Sequence, residues 1–261
     1  MKKMEKKYIP LAQFFETCTQ NTFSLTYEEI QNIMGHELPN AAYLNVSWWK
    51  KTKAPSTHYF AWTNYNYQVI NVHLGQAVTF SCSQQEDFHD QKPKSTFITR
   101  MIEANDARAY INLQEEIFAQ SSFGYYKPEE KGLTVQQVRK TIAEWRKQKT
   151  STILLCIYNG QFAGYAMMLG NTASRTKHIA SIRIGIHEDF KQKGLATALL
   201  KEVEKWAHSN EISRLEANIM AHNEAAIALF NKLNYTVEGT RENAVLLDDQ
   251  LIDELQYSKI I

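Results

Sequence analysis

The segment from His178 to His208 constrains the fold of this chain more than any other. It begins with a run rich in isoleucine, passes through a short polar stretch that contains Gly194, and then changes to helical spacing. The β-branched isoleucines favour a strand, whereas Leu195, Leu199 and Val203 recur at the three-to-four spacing of one buried helix face. The segment therefore predicts a strand followed closely by a helix.

A helix that begins directly after a strand offers a binding site for an anion. The amides of its first turn have no helical acceptors, and the helix dipole adds partial positive charge there. The P-loop pattern G-x-x-x-x-G-K-S/T and the dinucleotide pattern G-x-G-x-x-G are both absent; the junction reads Lys191-Gln192-Lys193-Gly194-Leu195-Ala196. Taken alone, this hexapeptide is equally compatible with an ordinary turn in which Gly194 only relieves strain.

The hexapeptide resembles the Q/R-x-x-G-x-G/A pyrophosphate loop of the GCN5-related N-acetyltransferase (GNAT) superfamily. Residues 214–241 resemble the second cofactor segment of that family, V-x-x-x-N-x-x-A-I-x-L-Y-x-K-x-G-F-x-x-x-G. The matching residues there are Asn223, Ala226, Ile227, Leu229, Lys232 and Gly239. Both segments follow the family's order, and so do the elements predicted over residues 96–261, which include a hairpin around Asn159-Gly160.

The resemblance implies a mixed α+β domain, with a mostly antiparallel sheet and flanking helices, that transfers acetyl from acetyl-CoA to an amine. It implies that the strand carrying Ile184, Gly185 and Ile186 binds the pantetheine arm through its backbone. The pyrophosphate is expected at Lys191, Gln192, Lys193, Gly194, Leu195, Ala196 and Thr197, with Asn223 capping its helix and facing the cofactor. Lys191 stands where the family usually has Arg or Gln. It would offer the pyrophosphate a point charge without the planar, two-pronged hydrogen bonding of a guanidinium.

The residues that would move protons depart from the family pattern. Ser181 stands where the family often has a glutamate, and Phe230 where it has a tyrosine. Direct transfer needs a base or a water relay for the amine and a proton donor for the departing thiolate. The weak catalytic candidates are Ser181, Glu216 and Tyr126. The departures support a rival interpretation, a non-catalytic CoA-binding sensor or scaffold whose N-terminal module binds nucleic acid or a protein.

The end of the chain resembles the subgroup of the family that acetylates small amines, amino acids or antibiotics. Asp248-Asp249 predicts a hairpin turn, and Asp253-Glu254 lies on the strand beyond it. These last two acids could attract a cationic acceptor. Equally, they could only blunt an exposed strand edge.

Residues 1–85 predict a separate small α+β domain. The expected elements are helices from Tyr8 to about Asn21 and from Thr26 to Gly35, with strands near 59–63, 67–74 and 76–83. Roughly residues 8–82 resemble a small bacterial, phage-associated module of unassigned function. Trp48 and Trp49, with lysines nearby, could stack bases and contact phosphates. Because acids and bases nearly balance, the alternative of tryptophan core anchors is favoured, and nucleic acid is not the preferred partner.

Residues 86–95 are polar, contain Pro93 and lack periodicity, so they predict a linker before a GNAT domain at 96–261. A length of 261 residues agrees with two domains, and a net charge of +1 argues against a strongly charged nucleic-acid or membrane surface. The sequence shows no signal peptide and no segment long enough to span a bilayer. Its three cysteines are scattered, and Cys156 is expected to be a small buried hydrophobe. A cytoplasmic location is therefore expected. His178, His187 and His222 lack metal-ligand grouping, so no metal is expected, and a homodimer is a further expectation.

Overall fold

The computed structural model of this protein describes residues 4–53, 56–83, 96–125 and 132–261. The predicted linker at 86–95 lies outside these ranges, so the domain limits drawn from the sequence remain predictions. Packing divides the chain into a first unit, Met1–Asp106 with Ile157–Phe162, and a second unit, Ala107–Cys156 with Ala163–Ile261. Within the described ranges, no helix is both long and apolar enough to cross a bilayer.

The first unit joins short helices to a three-stranded sheet in the order β1-β3-β2, which is antiparallel throughout. Its elements are α1 (Ile9–Thr17), β1 (Thr22–Thr26), α2 (Tyr27–Met34), α3 (Asn40–Leu44), α4 (Val46–Lys50), α5 (Phe60–Thr63), β2 (Tyr67–His73), β3 (Ala77–Cys82) and β4 (Phe97–Met101). The predicted helix α2 is confirmed, since Thr26 Oγ1 accepts from the Glu29 amide at 3.1 Å and Gly35 ends the helix at φ 73°.

The strand predicted at 59–63 is wrong, because Phe60–Thr63 forms one helical turn. Phe60, Ala61 and Trp62 are all buried, whereas a strand with one solvent-facing side would expose every second residue. Aromatic content favoured a strand here, and tertiary packing overrode that preference. Strand β1 was also missed, although Thr22–Thr26 alternates polar and apolar residues, with Phe23 partly buried and Leu25 buried between exposed neighbours.

Trp48 and Trp49 pack against other side chains of the first unit. Trp49 is buried, and its indole Nε1 donates to Tyr27 Oη and to the Ala42 carbonyl, each at 2.9 Å. Trp48 is half-buried and stacks on the His58 ring, with centroids 3.9 Å apart and planes 3° from parallel. The core-anchor alternative is therefore confirmed for Trp49, which has no face left for a base.

A buried arginine joins α2 to β4 within the first unit. Arg100 Nε donates to the Asn32 carbonyl at 2.9 Å and to the Ile33 carbonyl at 3.1 Å. Its Nη1 and Nη2 donate to the two carboxylate oxygens of Asp106 at 2.7 and 2.9 Å. Asn32 and Ile33 lie in the last turn of α2, where helix carbonyls lack a helical donor. Arg100 therefore satisfies the end of α2 and neutralises Asp106 at once.

The second unit contains the C-terminal helices and a sheet in the strand order β5-β6-β7-β8-β10-β9. Its elements are α6 (Ala107–Gln120), α7 (Val135–Gln148), β5 (Thr152–Tyr158), β6 (Gln161–Gly170), β7 (Ile179–Ile186), α8 (Leu195–Ser209), β8 (Arg214–Met220), α9 (Glu224–Lys232), β9 (Thr236–Leu247) and β10 (Gln250–Ile260). β7 and β8 are parallel, whereas the β6–β7, β8–β10 and β10–β9 pairs are antiparallel. The predicted mixed α+β fold is confirmed.

Local signals placed two hairpins of the large sheet correctly. Asn159 and Gly160 have φ values of 48° and 85°, and Asp248 and Asp249 have 46° and 63°; left-handed pairs of this kind close two-residue hairpins. Cys156 is fully buried in β5, and burial raises the pKa of its thiol to about 12. The prediction that Cys156 is a small buried hydrophobe is confirmed.

Arg100→Ala should lower the free energy of unfolding by about 3–5 kcal/mol, because it leaves the Asp106 carboxylate buried without its cation. Chemical denaturation of the full chain measures this loss. Lys7→Ala is the matched control in the same unit, since its ion pair with Glu5 is exposed and exposed pairs contribute little. A loss for Arg100→Ala no larger than that for Lys7→Ala would contradict this account.

Candidate active site

The parallel pairing of β7 with β8 covers only a short stretch. Three pairs join them, Ile179 with Arg214, Ala180 with Leu215 and Ser181 with Glu216. β7 then continues to Ile186 and β8 to Met220, while β7 stays paired with β6 on its other side. The backbone groups of β7 that face β8 beyond Ser181 therefore form an open strand edge inside the sheet, available to an extended ligand.

A cleft of about 620 Å³ occupies the gap between the two strands. Ile182, Ile184, Gly185 and Ile186 line it from β7, and residues 217–220 line it from β8. Ligand pockets in proteins commonly have volumes of about 300–1,000 Å³. The predicted strand residues Ile184, Gly185 and Ile186 therefore lie at one cleft.

The mouth of the cleft is formed by the N-terminus of α8. Gly194 precedes the helix in the left-handed conformation, with φ 77° and no side-chain cap, and the first helical bond runs from the Ala198 amide to the Gly194 carbonyl at 3.1 Å. A Cβ on Gly194 would meet nothing within 4 Å. The free first-turn amides therefore face open space, which suits an anionic group.

Most of the predicted loop residues line this cleft. They are Lys191, Gln192, Gly194, Leu195, Ala196 and Thr197. Lys193 does not line it: its Nζ donates to the Asp189 carbonyl at 2.5 Å and lies 5.0 Å from the Phe190 ring centroid. The sequence pattern could not show this, because the direction of one side chain depends on the adjoining 3₁₀ turn at Glu188–Phe190.

Asn223 and Phe230 lie at the α9 side of the cleft. Asn223 caps α9, since its Oδ1 accepts from the Ala226 amide at 3.1 Å, so the capping interpretation is confirmed while the side chain also lines the cleft. The Phe230 ring is buried beside Tyr235 and Tyr257, at centroid distances of 4.9 and 5.9 Å. It brings no hydroxyl group to this position.

A second, polar cavity of about 570 Å³ lies along the same strands. Its lining residues are Tyr125, Ser181, Ile182, Arg183, Glu216, Ala217, Asn218, Arg241, Ala244, Glu254 and Gln256. Register explains the polar wall, because the pairs Ser181–Glu216, Asn218–Gln256 and Arg241–Glu254 put polar side chains on one sheet face. Five residues line both cavities: Tyr125, Ile182, Arg183, Ala217 and Asn218. The two cavities therefore meet where β7 and β8 separate.

Glu254 is the most buried charge of the polar cavity. Its carboxylate is fully buried and accepts from Arg241 Nη1 at 2.6 Å and from the Tyr125 hydroxyl. Burial first, and then the bond to Glu254, raise the pKa of Tyr125 above its usual value. The phenol therefore stays protonated and directs its proton at Glu254.

The structure bears on both interpretations of Asp253-Glu254, as acids that blunt a strand edge or as acids that attract a cationic acceptor. β10 pairs with β8 on one side and β9 on the other, so it has no exposed edge to blunt, and that alternative is wrong. Asp253 accepts from the Asn243 amide at 2.8 Å at an irregularity in the strand pairing, and Glu254 already binds Arg241. Glu254 is therefore neutralised by Arg241, whereas Asp253 keeps its negative charge beside a neutral amide.

The weak catalytic candidates are only partly brought together. Ser181 and Glu216 form the last pair before the strands separate, and both line the polar cavity. Glu216 Oε1 accepts from Arg214 Nε at 2.6 Å, and Arg214 also binds Glu238. Tyr126 lies outside the described residues. No group of three metal-ligating side chains occurs in the part of the chain that the structure describes.

Comparison with known families finds one match for each part of the chain. Residues 110–235 match the acetyltransferase (GNAT) family model, and residues 8–84 match a domain of unknown function, DUF7662. Both resemblances noted in the sequence are confirmed.

Relatives among characterised and catalogued proteins are distant. The chain is 24% identical over 109 residues to an L-amino acid N-acetyltransferase of Escherichia coli, which covers 41% of this chain and 67% of that protein. It is 30% identical over 74 residues to an acetyltransferase of Yersinia enterocolitica, covering 28% of this chain and 50% of that protein. The chain thus spans about half the length of most such relatives.

Solved structures support the fold. A GNAT-family acetyltransferase from Streptococcus pneumoniae superposes with a TM-score of 0.61 at 24% identity, over 63% of this chain and 99% of that one. YncA of Salmonella typhimurium was solved with its cofactor acetyl-CoA. It superposes with a TM-score of 0.57 at 16% identity, over 63% of this chain and 93% of that one.

Proposed function

Because this chain carries a domain of the acetyltransferase (GNAT) family at residues 110–235, we propose that it transfers acetyl from acetyl-CoA to an amine. The observation that carries the proposal is the cleft between β7 and β8, which leads to the uncapped N-terminus of α8. The relative from Salmonella, solved with acetyl-CoA, supports the same donor. The three cysteines are free thiols, which supports a cytoplasmic location.

The donor would be held mostly by backbone groups. The open edge of β7 at Ile184, Gly185 and Ile186 suits the amides of the pantetheine arm. The first-turn amides of α8 and the adjoining residues Lys191, Gln192 and Gly194 suit the pyrophosphate. Lys193 is left out of this set because its Nζ binds the Asp189 carbonyl.

The acceptor amine would enter from the polar cavity, which meets the donor cleft beside Ile182 and Ala217. Acetyl-CoA supplies an activated acyl group as its thioester. Ser181 and Glu216 flank the junction, so they are the candidates to take the amine proton, directly or through water. Glu216 is held by Arg214 at 2.6 Å, which fixes its position next to Ser181.

The rival function is CoA binding without transfer. One observation favours it: the buried Phe230 has no hydroxyl group to protonate the leaving thiolate. Tyr125 does not replace it freely, because its proton is engaged by Glu254. A CoA-binding sensor would need the donor cleft and none of the proton-transfer groups.

Thiol release separates the two functions. The full chain with acetyl-CoA and a panel of amines should release CoA thiol in an amine-dependent manner, with the N-acetyl product seen by mass spectrometry. The protein without amine is the control for simple hydrolysis. Tight CoA binding with no amine-dependent release across the panel would favour the sensor.

Gly194→Glu should abolish CoA binding, because a carboxylate would occupy the open space in front of the α8 amides and oppose the pyrophosphate. Titration calorimetry with CoA measures the loss. Gly75→Glu is the matched control, since Gly75 also has positive φ, 74°, and nothing within 4 Å of a Cβ. It should keep the wild-type affinity, and unchanged affinity in Gly194→Glu would refute the donor site.

Phe230→Tyr should raise turnover if the missing thiolate donor limits the rate, since positioned proton transfer is worth about 10²-fold or more. Steady-state kcat with saturating acetyl-CoA is the measurement. Phe162→Tyr adds the same oxygen to a partly buried ring that lines neither cavity, and it should leave kcat unchanged. A Phe230→Tyr enzyme that binds CoA normally but turns over like the wild type would show that protonation comes from another group or is not limiting.

A further inference from the structure

The polar cavity contains four charged side chains in its lining, two arginines and two glutamates. Glu254 and Arg241 pair with each other at 2.6 Å, so together they add no net charge. Glu216 pairs with Arg214, which it shares with Glu238. Two carboxylates therefore share one guanidinium at that end, which leaves a negative excess beside Glu216.

Arg183 is the remaining charged side chain in the lining of the polar cavity. Among the residues that the structure describes, Glu216 pairs with Arg214 and Glu254 with Arg241, and no carboxylate lies within ion-pair distance, 4.0 Å, of the Arg183 guanidinium. Its guanidinium carbon lies 5.7 Å from the Tyr125 ring centroid. A guanidinium over an aromatic face keeps its hydrogen-bonding edges free for a planar anion.

The position of Arg183 links it to the reacting end of the site. It lies two residues beyond Ser181 on β7, about 7 Å along the strand, and on the same face as Ser181 and Glu216. It lines both the donor cleft and the polar cavity. An anion bound by Arg183 would therefore lie close to the junction where acetyl transfer is proposed.

We propose that Arg183 binds a carboxylate of the acceptor, so that the acceptor is an amino acid or a similar small zwitterion. This inference rests on the proposed acetyl transfer. The carboxylate would form a forked pair with Arg183, while the ammonium group would approach the negative end at Glu216 and Ser181. A purely cationic amine would meet Arg183 with no anion of its own, and Glu254 is already neutralised by Arg241.

The distance between the two ends also limits the acceptor. Because Arg183 itself reaches the junction, the amine and the carboxylate must be separated by few atoms, as in an α-amino acid. Asn218 and Gln256, paired across β8 and β10, offer neutral hydrogen-bonding groups on the cavity wall for the rest of the molecule. The site thus offers a positive group, Arg183, to the carboxylate of the ligand and a negative group, Glu216, to its ammonium.

Kinetics with matched acceptors tests the proposal. The full chain is assayed with L-amino acids, their carboxamides and the corresponding decarboxylated amines, with thiol release as the readout. We expect kcat/KM for the preferred amino acid to exceed that for its amide by about 10- to 100-fold, the range of a hydrogen-bonded charge interaction. Arg183→Gln should abolish this preference by raising KM for the amino acid, and Arg183→Lys should restore part of it.

Arg175→Gln is the matched control, because Arg175 is an exposed arginine of the same unit that lines neither cavity. It should keep the preference of the wild type. Equal use of amino acids and amides by the wild type would overturn the proposal, as would Arg183→Gln losses that are the same for both acceptors.

Direct binding separates failure of this inference from failure of the proposed function. Calorimetry measures binding of the amino acids to the complex of the protein with CoA, in the wild type and in Arg183→Gln. Binding that Arg183→Gln abolishes, without turnover of any amine, would support carboxylate recognition and refute acetyl transfer. Turnover of amines without a carboxylate preference would support acetyl transfer and refute carboxylate recognition.

Discussion

β7 and β8 stop pairing after Ser181 and Glu216, and both cavities of the second unit depend on that separation. A continuous parallel pair would fill the gap with hydrogen bonds and leave no open edge on β7. Instead the strands enclose a cleft that ends at the free amides of α8. The same gap connects the larger cleft to the polar cavity, so the proposed donor and acceptor sites share one structural cause.

Local chemistry made much of the fold predictable from the sequence. Thr26 and Glu29 fix the start of α2 by reciprocal hydrogen bonds, and the Asn159-Gly160 turn fixes the β5–β6 hairpin. The proposed donor cleft was predictable for a related reason, because most of its lining lies in two continuous segments, residues 182–197 and 217–230. Phe60–Thr63 was not, since its one turn of helix depends on burial from several sides and local propensity favours a strand there.

The acceptor side could not be read from the sequence, because its partners lie far apart along the chain. Tyr125 and Glu254 are 129 positions apart, and strand register alone brings Arg241 opposite Glu254. The state of each charge follows from these pairings. The sequence analysis noted Glu254 as an acid near the chain end. In the structure it is buried, hydrogen-bonded to Tyr125 and neutralised by Arg241. Arg183 drew no attention, although it is the cavity arginine without an acidic partner in the described structure.

Two features of the site place more demand on the positioning of the reactants. Phe230 removes one hydroxyl group and Glu254 engages another at Tyr125, so little of the barrier to acetyl transfer would be lowered by side-chain acids. Holding two reactants in a productive orientation can itself contribute about 7–11 kcal/mol. An acceptor held at one end by Arg183 and at the other by Glu216 would lose its rotational freedom on binding, before the reaction begins. A site with few proton donors is therefore best matched to an acceptor that it can hold at both ends, and a small zwitterion has that property.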